Sequence, residues 1–171
     1  VELIIKGRQK DTIVLRSGEN VEPFPIEAKL VESPYITKAV VCGQDQNYLG
    51  AIIIANTEAL KQAAEHENQE TKSSVSKLLS SDFAKEIVTR EIERLICSKN
   101  GFKNFERVST FILMEKFLHP EEEFSAKGDI IRYKILQNYK HQINSMFQKE
   151  EKKQKKLMSE KLQELIPEKL Q

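Results

Sequence analysis

Gly7-Arg8-Gln9-Lys10-Asp11-Thr12-Ile13-Val14-Leu15-Arg16-Ser17-Gly18-Glu19-Asn20-Val21-Glu22-Pro23-Phe24-Pro25-Ile26-Glu27 is the stretch from which the rest of the chain is read. Thr12 to Leu15 are β-branched or apolar and predict a strand. Ser17-Gly18-Glu19-Asn20 predicts a turn, with Gly18 free to take positive φ. Pro23 and Pro25 suit the first turn of a helix, where a missing N–H leaves nothing unpaired. Glu22 and Glu27 are expected to set negative charge near the positive end of that helix. Six residues precede Gly7, and the chain opens on Val1 rather than Met. Both features suggest a segment of something larger.

Outward from there, Ile26, Leu30 and Val31 make one apolar stripe, and Ser33-Pro34 stops the helix. Ile36 to Cys42 and Tyr48 to Ala55 predict an antiparallel hairpin across the polar turn 43–47. The unbroken Ile52-Ile53-Ile54 suits a strand covered on both faces. Asn56 or Thr57 is expected to cap the next helix. The polar, Ser-rich stretch from His66 to Ser81 predicts loop or weak helix, and the whole of 66–98 reads as a surface insertion. Within it, Asp82 is expected to cap a stronger helix carrying Phe83, Ile87, Ile92, Leu95 and Ile96, ending near Asn100-Gly101. Thr110 to Met114 predict another strand. Pro120 to Glu123 predict a loop, and Asp129 the cap of one long helix from Ile130 to Phe147. Beyond Lys149 the composition is almost wholly charged, with a short amphipathic piece from Leu157 to Ile166. The expected fold is α+β: a short hairpin, then a small mixed or antiparallel sheet with flanking helices, and a long C-terminal helix.

Composition narrows the function classes. The chain has 171 residues, 39% apolar and 31% charged, with 27 basic and 26 acidic side chains and a net charge of +1. That size fits one domain, and the charge balance predicts neither a nucleic-acid nor a membrane partner. No apolar run approaches the ~20 residues of a membrane span, and no signal peptide is visible, so the expected compartment is cytoplasmic. Cys42 and Cys97 belong to no metal-binding spacing and read as reduced core thiols; no metal site is expected. His66, His119 and His141 are scattered.

No catalytic motif stands out from residue types alone. Two lysines sit beside backbone-flexing residues: Lys10 after Gly7-Arg8, and Lys127 between Phe124-Ser125-Ala126 and Gly128. Either could bring a point charge to a phosphate or carboxylate.

The opening stretch resembles the hinge motif of the adenylate-forming enzymes, the superfamily of acyl-CoA synthetases, luciferases and peptide-synthetase adenylation domains. That motif is Gly-Arg-x-(Asp or Lys), apolar residues, a Gly-containing loop, then Ile-Glu at a helix start. Gly7-Arg8-Gln9-Lys10, Asp11 to Leu15, Gly18-Glu19-Asn20-Val21 and Ile26-Glu27 supply it. Gly-Glu-Asn-Val-Glu-Pro, with Ser33-Pro34-Tyr35-Ile36 and Gly43-Gln44-Asp45, is most similar to the long-chain fatty acid branch.

The resemblance implies the C-terminal domain of a long-chain fatty acid–CoA ligase, AMP-forming. The full enzyme would use ATP and Mg²⁺ to make an acyl-adenylate and pass the acyl group to CoA, the small domain rotating between the two steps. By the same resemblance Lys10 is the hinge and Arg8 the contact to the nucleotide ribose, while Gly18, Glu19 and Asn20 line the CoA pantetheine tunnel. The adenylation lysine is assigned to Lys127, with Lys134 in reserve; counted back from Tyr139 without gaps, the family position falls on Asp129. Implied segments are 1–11 (hinge and domain start), 12–147 (mobile domain) and 148–171 (charged helical tail). The implied partners are the N-terminal domain of the same chain, fatty acid, ATP and CoA, with peripheral membrane association of the full enzyme. The segment alone is expected to hold none of these tightly and to lack ligase activity. Two other readings stand beside this one: an acyl–acyl carrier protein synthetase of the same superfamily, and a free-standing, non-enzymatic interaction module.

Overall fold

The computed structural model describes residues 11–68 and 74–166. Arg8 and Lys10 lie outside the described residues. The chain begins with a two-stranded antiparallel hairpin, β1 (Ile13–Val14) and β2 (Asn20–Val21), paired Ile13 to Val21 and Val14 to Asn20. The Gly18 N–H donates to the Leu15 carbonyl at 2.9 Å, and Gly18 takes φ +96°, as a turn of this kind requires. Helix α1 (Pro23–Leu30) follows with proline in its first turn. Glu22 stands at the N-cap of this helix, at its positive end as expected, whereas Glu27 lies beyond the first turn. Glu22 accepts from the Thr12 hydroxyl at 2.6 Å, and Glu27 is buried in a clamp described below. Val31, expected on the apolar stripe, is exposed.

Strands β3 (Ile36–Cys42), β4 (Leu49–Ala55) and β5 (Val108–Met114) form a sheet in the order β3-β4-β5. β3 and β4 pair antiparallel; β4 and β5 pair parallel, so the sheet is mixed. All seven residues of β4 are buried. Its side chains alternate between two cores, as strand geometry demands. Leu49, Ala51 and Ile53 face one core with Ile26 and Leu30 of α1 and Val88 and Ile92 of α4 (Asp82–Leu95). Ile52 and Ile54 face the other, with Ile135, Ile143, Met146 and Phe147. Those four come from α6 (Arg132–Asn138) and α7 (Lys140–Glu164). A smaller cluster joins Ala55 and Leu60 of α2 (Thr57–His66) to Leu79 of α3 (Val75–Ser80) and Ala84 of α4. The expected α+β class therefore holds, as helix layers on both faces of a three-stranded sheet.

Local corrections follow from polar competition. Asn56 caps α2 through Ala59 N–H, as expected. Ser81 rather than Asp82 caps α4, its hydroxyl accepting from Ala84 N–H at 3.2 Å. α4 supplies Val88, Ile92 and Leu95 to the interior, so 66–98 is not merely a surface insertion. Pro120 to Glu123 form a single helical turn, α5. The predicted long helix from Asp129 starts instead at Arg132 and breaks at Tyr139. Tyr139, with φ −105° and ψ 16°, leaves helical torsions at this point; it is 1% exposed, and its hydroxyl accepts from Leu118 N–H at 2.7 Å. α7 then runs without a break into the charged tail.

One glycine marks how closely α7 approaches the sheet. A Cβ on Gly50 would lie 2.5 Å from Met146 Cε and 2.9 Å from Phe147 Cζ. Gly50→Val should destabilise the fold by about 1–3 kcal/mol through this overpacking, read as a lower thermal midpoint in circular dichroism.

Candidate functional site

Lys127 occupies the tip of a tight hairpin that leaves the sheet side of the domain. Phe124 and Ile130 pair as an isolated antiparallel bridge. The Gly128 N–H donates to the Ser125 carbonyl at 2.8 Å, and Ser125 N–H to the Asp129 carbonyl at 2.8 Å. Gly128 takes φ +85°, the left-handed residue that a short hairpin with a bulge needs. Asp129 N–H donates to the Ser125 hydroxyl at 3.1 Å, so Asp129 closes the turn and caps no helix. Residues 126–129 are all exposed.

The stem of this hairpin is fixed at both ends. Before it, the fully buried Glu123 accepts from Asn138 Nδ2 at 3.1 Å and from the Tyr139 hydroxyl at 3.3 Å. After it, Arg132 donates through Nη1 and Nη2 to the Glu27 carboxylate at 2.8 and 2.6 Å. Arg132 Nη1 also reaches the Val41 carbonyl at 3.1 Å, and Glu27 accepts from Val41 N–H at 2.7 Å. The pair retains 11% and 8% side-chain exposure, and Asp11 approaches Arg132 Nε to 4.0 Å. Burial works against the Arg132 charge, but the Glu27 hydrogen bonds and charge overcome it and push the guanidinium pKa up. The side chain is therefore held as a cation.

The clamp links the two ends of the motif-bearing sequence. Gly18 and Glu19 lie in the β1–β2 turn and Asn20 opens β2; Gly18 and Asn20 are exposed, Glu19 half-buried. That hairpin is tied to the β3–β4 turn: Arg16 N–H donates to the Gln46 carbonyl at 2.9 Å, and Asp45 N–H to the Val14 carbonyl at 3.0 Å. A cleft of about 340 Å³ opens beside the clamp, bordered by Asp11, Cys42, Gln44, Arg132, Lys140 and Phe147. A larger open groove, about 1440 Å³, runs along β5 between α4 and α7. Lys127, Lys134, Gly18, Glu19 and Asn20 do not line it. Lys134, half-buried, lies one turn into α6, on a rigid backbone rather than a loop. Among the described residues no group of three His, Cys, Asp or Glu side chains is arranged to hold a metal ion.

Sequence reasoning missed the Arg132–Glu27 clamp. Its only local signal was a glutamate one residue after the apolar Ile26 on a helix whose other inward positions are apolar. The first-turn reading of Glu27 accounted for the charge and so concealed the need for a partner.

Cys42 and Cys97 are free thiols. Burial pushes the Cys42 thiol up to about 12; Arg132 pulls it down and Glu27 raises it, both by less. Cys97 is half-buried just beyond α4, not within a helix as expected.

The described fold agrees with family comparison. The family model for the AMP-binding enzyme C-terminal domain matches residues 10–151. The chain belongs to that family. It is 34% identical over 145 residues to "Probable acyl-activating enzyme 16, chloroplastic" of Arabidopsis thaliana, covering 85% of this chain and 19% of that protein. It is 30% identical over 160 residues to a long-chain-fatty-acid–CoA ligase of Mus musculus, covering 85% and 24%. A chloroplastic long-chain-fatty-acid–[acyl-carrier-protein] ligase of Arabidopsis thaliana is 47% identical over 73 residues, 43% of this chain and 10% of that one. The fold matches the adenylation domain of a carboxylate reductase from Mycobacterium chelonae at TM-score 0.67 and 21% identity, over 82% of this chain and 20% of that chain. The chain thus spans about a quarter or less of the length of these relatives.

Two outcomes test the site's physical chemistry. Arg132→Ala leaves the Glu27 carboxylate buried without its cation and should cost about 3–5 kcal/mol, whereas Glu27→Met with Arg132→Met should cost far less, by chemical denaturation. A thiol-reactive dye at neutral pH should label Cys97 quickly and Cys42 only on unfolding, because Cys42 keeps its proton until well above the ordinary thiol range.

Proposed function

We propose that this chain is the mobile C-terminal domain of an AMP-forming acid–thiol ligase acting on long-chain fatty acids. The observation that carries the reading is the continuous match over residues 10–151 to the AMP-binding enzyme C-terminal domain, among whose relatives are named acyl-activating and long-chain ligases. In this reading 1–11 are the hinge and domain start, 12–147 the rotating body and 148–171 a helical tail. ATP with Mg²⁺ supplies the activating nucleotide and CoA the accepting thiol, both held chiefly by the rest of the longer protein.

The chain's own residues then have distinct tasks. Lys10 is the pivot, and Arg8 meets the ribose. Gly18, Glu19 and Asn20 border the passage for the pantetheine arm; the space around a Gly18 Cβ is open for 4 Å, which leaves room for that arm. Lys127, presented on a short stiff stem, brings positive charge toward the phosphate oxygens where negative charge builds as the carboxylate attacks. Its exposure suits an encounter with another domain better than the half-buried Lys134.

A carrier-protein thiol as the acceptor is the second reading, favoured by the 47% identity over 73 residues to a relative named as such a ligase. No helix among the described residues is long and apolar enough to cross a membrane. We assign the protein to the cytoplasm, where two free thiols are stable, with peripheral contact to a membrane that stores its acyl substrate.

The assignment is tested in the full-length enzyme by ATP–pyrophosphate exchange. Lys127→Ala should lower exchange by about 10²–10³, and Lys134→Ala should change it little. Loss on Lys134→Ala alone would overturn the assignment to Lys127.

A further inference from the structure

α7 outruns the domain it packs on. Its buried residues are Ile143, Met146, Phe147 and Glu150, all in the first half. Every residue from Glu151 to Ile166 is exposed. The free part, 151–164, is about 21 Å long at 1.5 Å per residue. A helix with no tertiary contact is marginal by itself, so this extension invites a partner.

Its two faces say what kind. Leu157, Met158, Leu162, Leu165 and Ile166 are between 43% and 77% exposed. At about 100° per residue they fall within one half of the helix circumference. Met158 and Leu162 are one turn apart, as are Leu162 and Ile166. Lys149, Lys152, Lys153 and Lys156 fall on the opposite half. Lys155 and Lys161 lie beside the apolar residues, where a four-carbon stem can carry the ammonium past them. The exposed end, 151–166, holds five lysines and three acids, Glu151, Glu160 and Glu164, a net +2 in a chain whose total is +1, with four of the lysines gathered between Lys152 and Lys156. One ion pair there, Lys155 with Glu151 at 3.7 Å, is exposed on both sides.

We infer that the end of α7 is an interfacial helix that seats this domain on an anionic lipid surface. The apolar half enters the headgroup–acyl boundary, and the lysines meet the lipid phosphates. The apolar stripe covers only 157–166, too short for the three or more heptads that a helix pair with a second copy needs. The helix lies on the membrane rather than through it: among the described residues no helix is long and apolar enough to cross one. This deepens the membrane contact proposed above and rests on that reading for its purpose: an acyl substrate partitioned in a bilayer would be met at the surface.

The test is co-sedimentation of the 171-residue chain with vesicles, without ATP, fatty acid or CoA, so that its failure is separate from failure of the ligase assignment. The chain should pellet with phosphatidylcholine–phosphatidylglycerol vesicles at low salt, and release at high salt or with phosphatidylcholine alone. Replacing Lys152, Lys153, Lys155 and Lys156 by Glu should weaken binding by about a thousandfold or more. Leu162→Glu with Leu165→Glu should weaken it by about tenfold or more, with an unchanged thermal midpoint because both sites are exposed in the free chain. Absence of binding to anionic vesicles, or binding that neither variant alters, would overturn the inference. So would dimerisation in sedimentation velocity that the leucine variant abolishes, without vesicle binding.

Discussion

The ion pair between Arg132 and Glu27 is the interaction on which the rest of the domain turns. It joins residues 105 positions apart. One side belongs to the first helix after the opening hairpin, the other to the first turn of the helix after the Lys127 hairpin. It also satisfies the outward N–H and C=O of Val41 on β3, an edge strand of the sheet. Side chains thus occupy backbone groups at which another strand could otherwise add. Burying two charges is unfavourable unless their hydrogen bonds are met. Bidentate geometry meets most of them, and Asp11 adds negative charge near the one guanidinium nitrogen without a bonded partner among the described residues.

This arrangement separates rigid from accessible parts. β4 is buried on both faces and divides the interior into two apolar cores. Glu123 and Arg132 pin the chain on either side of an exposed turn, so Lys127 is free to meet another surface while its stem holds direction. The same economy of contact appears at Gly18, exposed at the tip of a hairpin whose base is bonded to the neighbouring turn.

α7 shows the opposite design. Its first half closes one core against Gly50, and its second half leaves the fold altogether. The transition falls at Glu150, the last buried residue of the helix. Helical continuity across that point carries the exposed end out from the core on the same helix that closes it.

What could be read in the sequence was what is encoded locally. Gly18 in its turn, the prolines at the start of α1 and the unbroken apolar run of β4 specify elements through their own backbone preferences and period. The resemblance carried by residues 7–27 gave the family. Asp129 and Tyr139 were misread because the apolar spacing from Ile130 to Phe147 runs in helical phase through both. The turn bonds of Ser125 hold Asp129 outside the helix, and the backbone of Tyr139 departs from helical torsions. The parallel pairing of β4 with β5 joins strands separated by three helices, α2 to α4, and the Glu27–Arg132 pair joins residues 105 positions apart. By itself the sequence determined the elements and the family; tertiary structure decided strand order, helix breaks and the buried clamp. The reason is that a charge or a strand edge is satisfied by whatever folding brings beside it, and no local pattern names that partner.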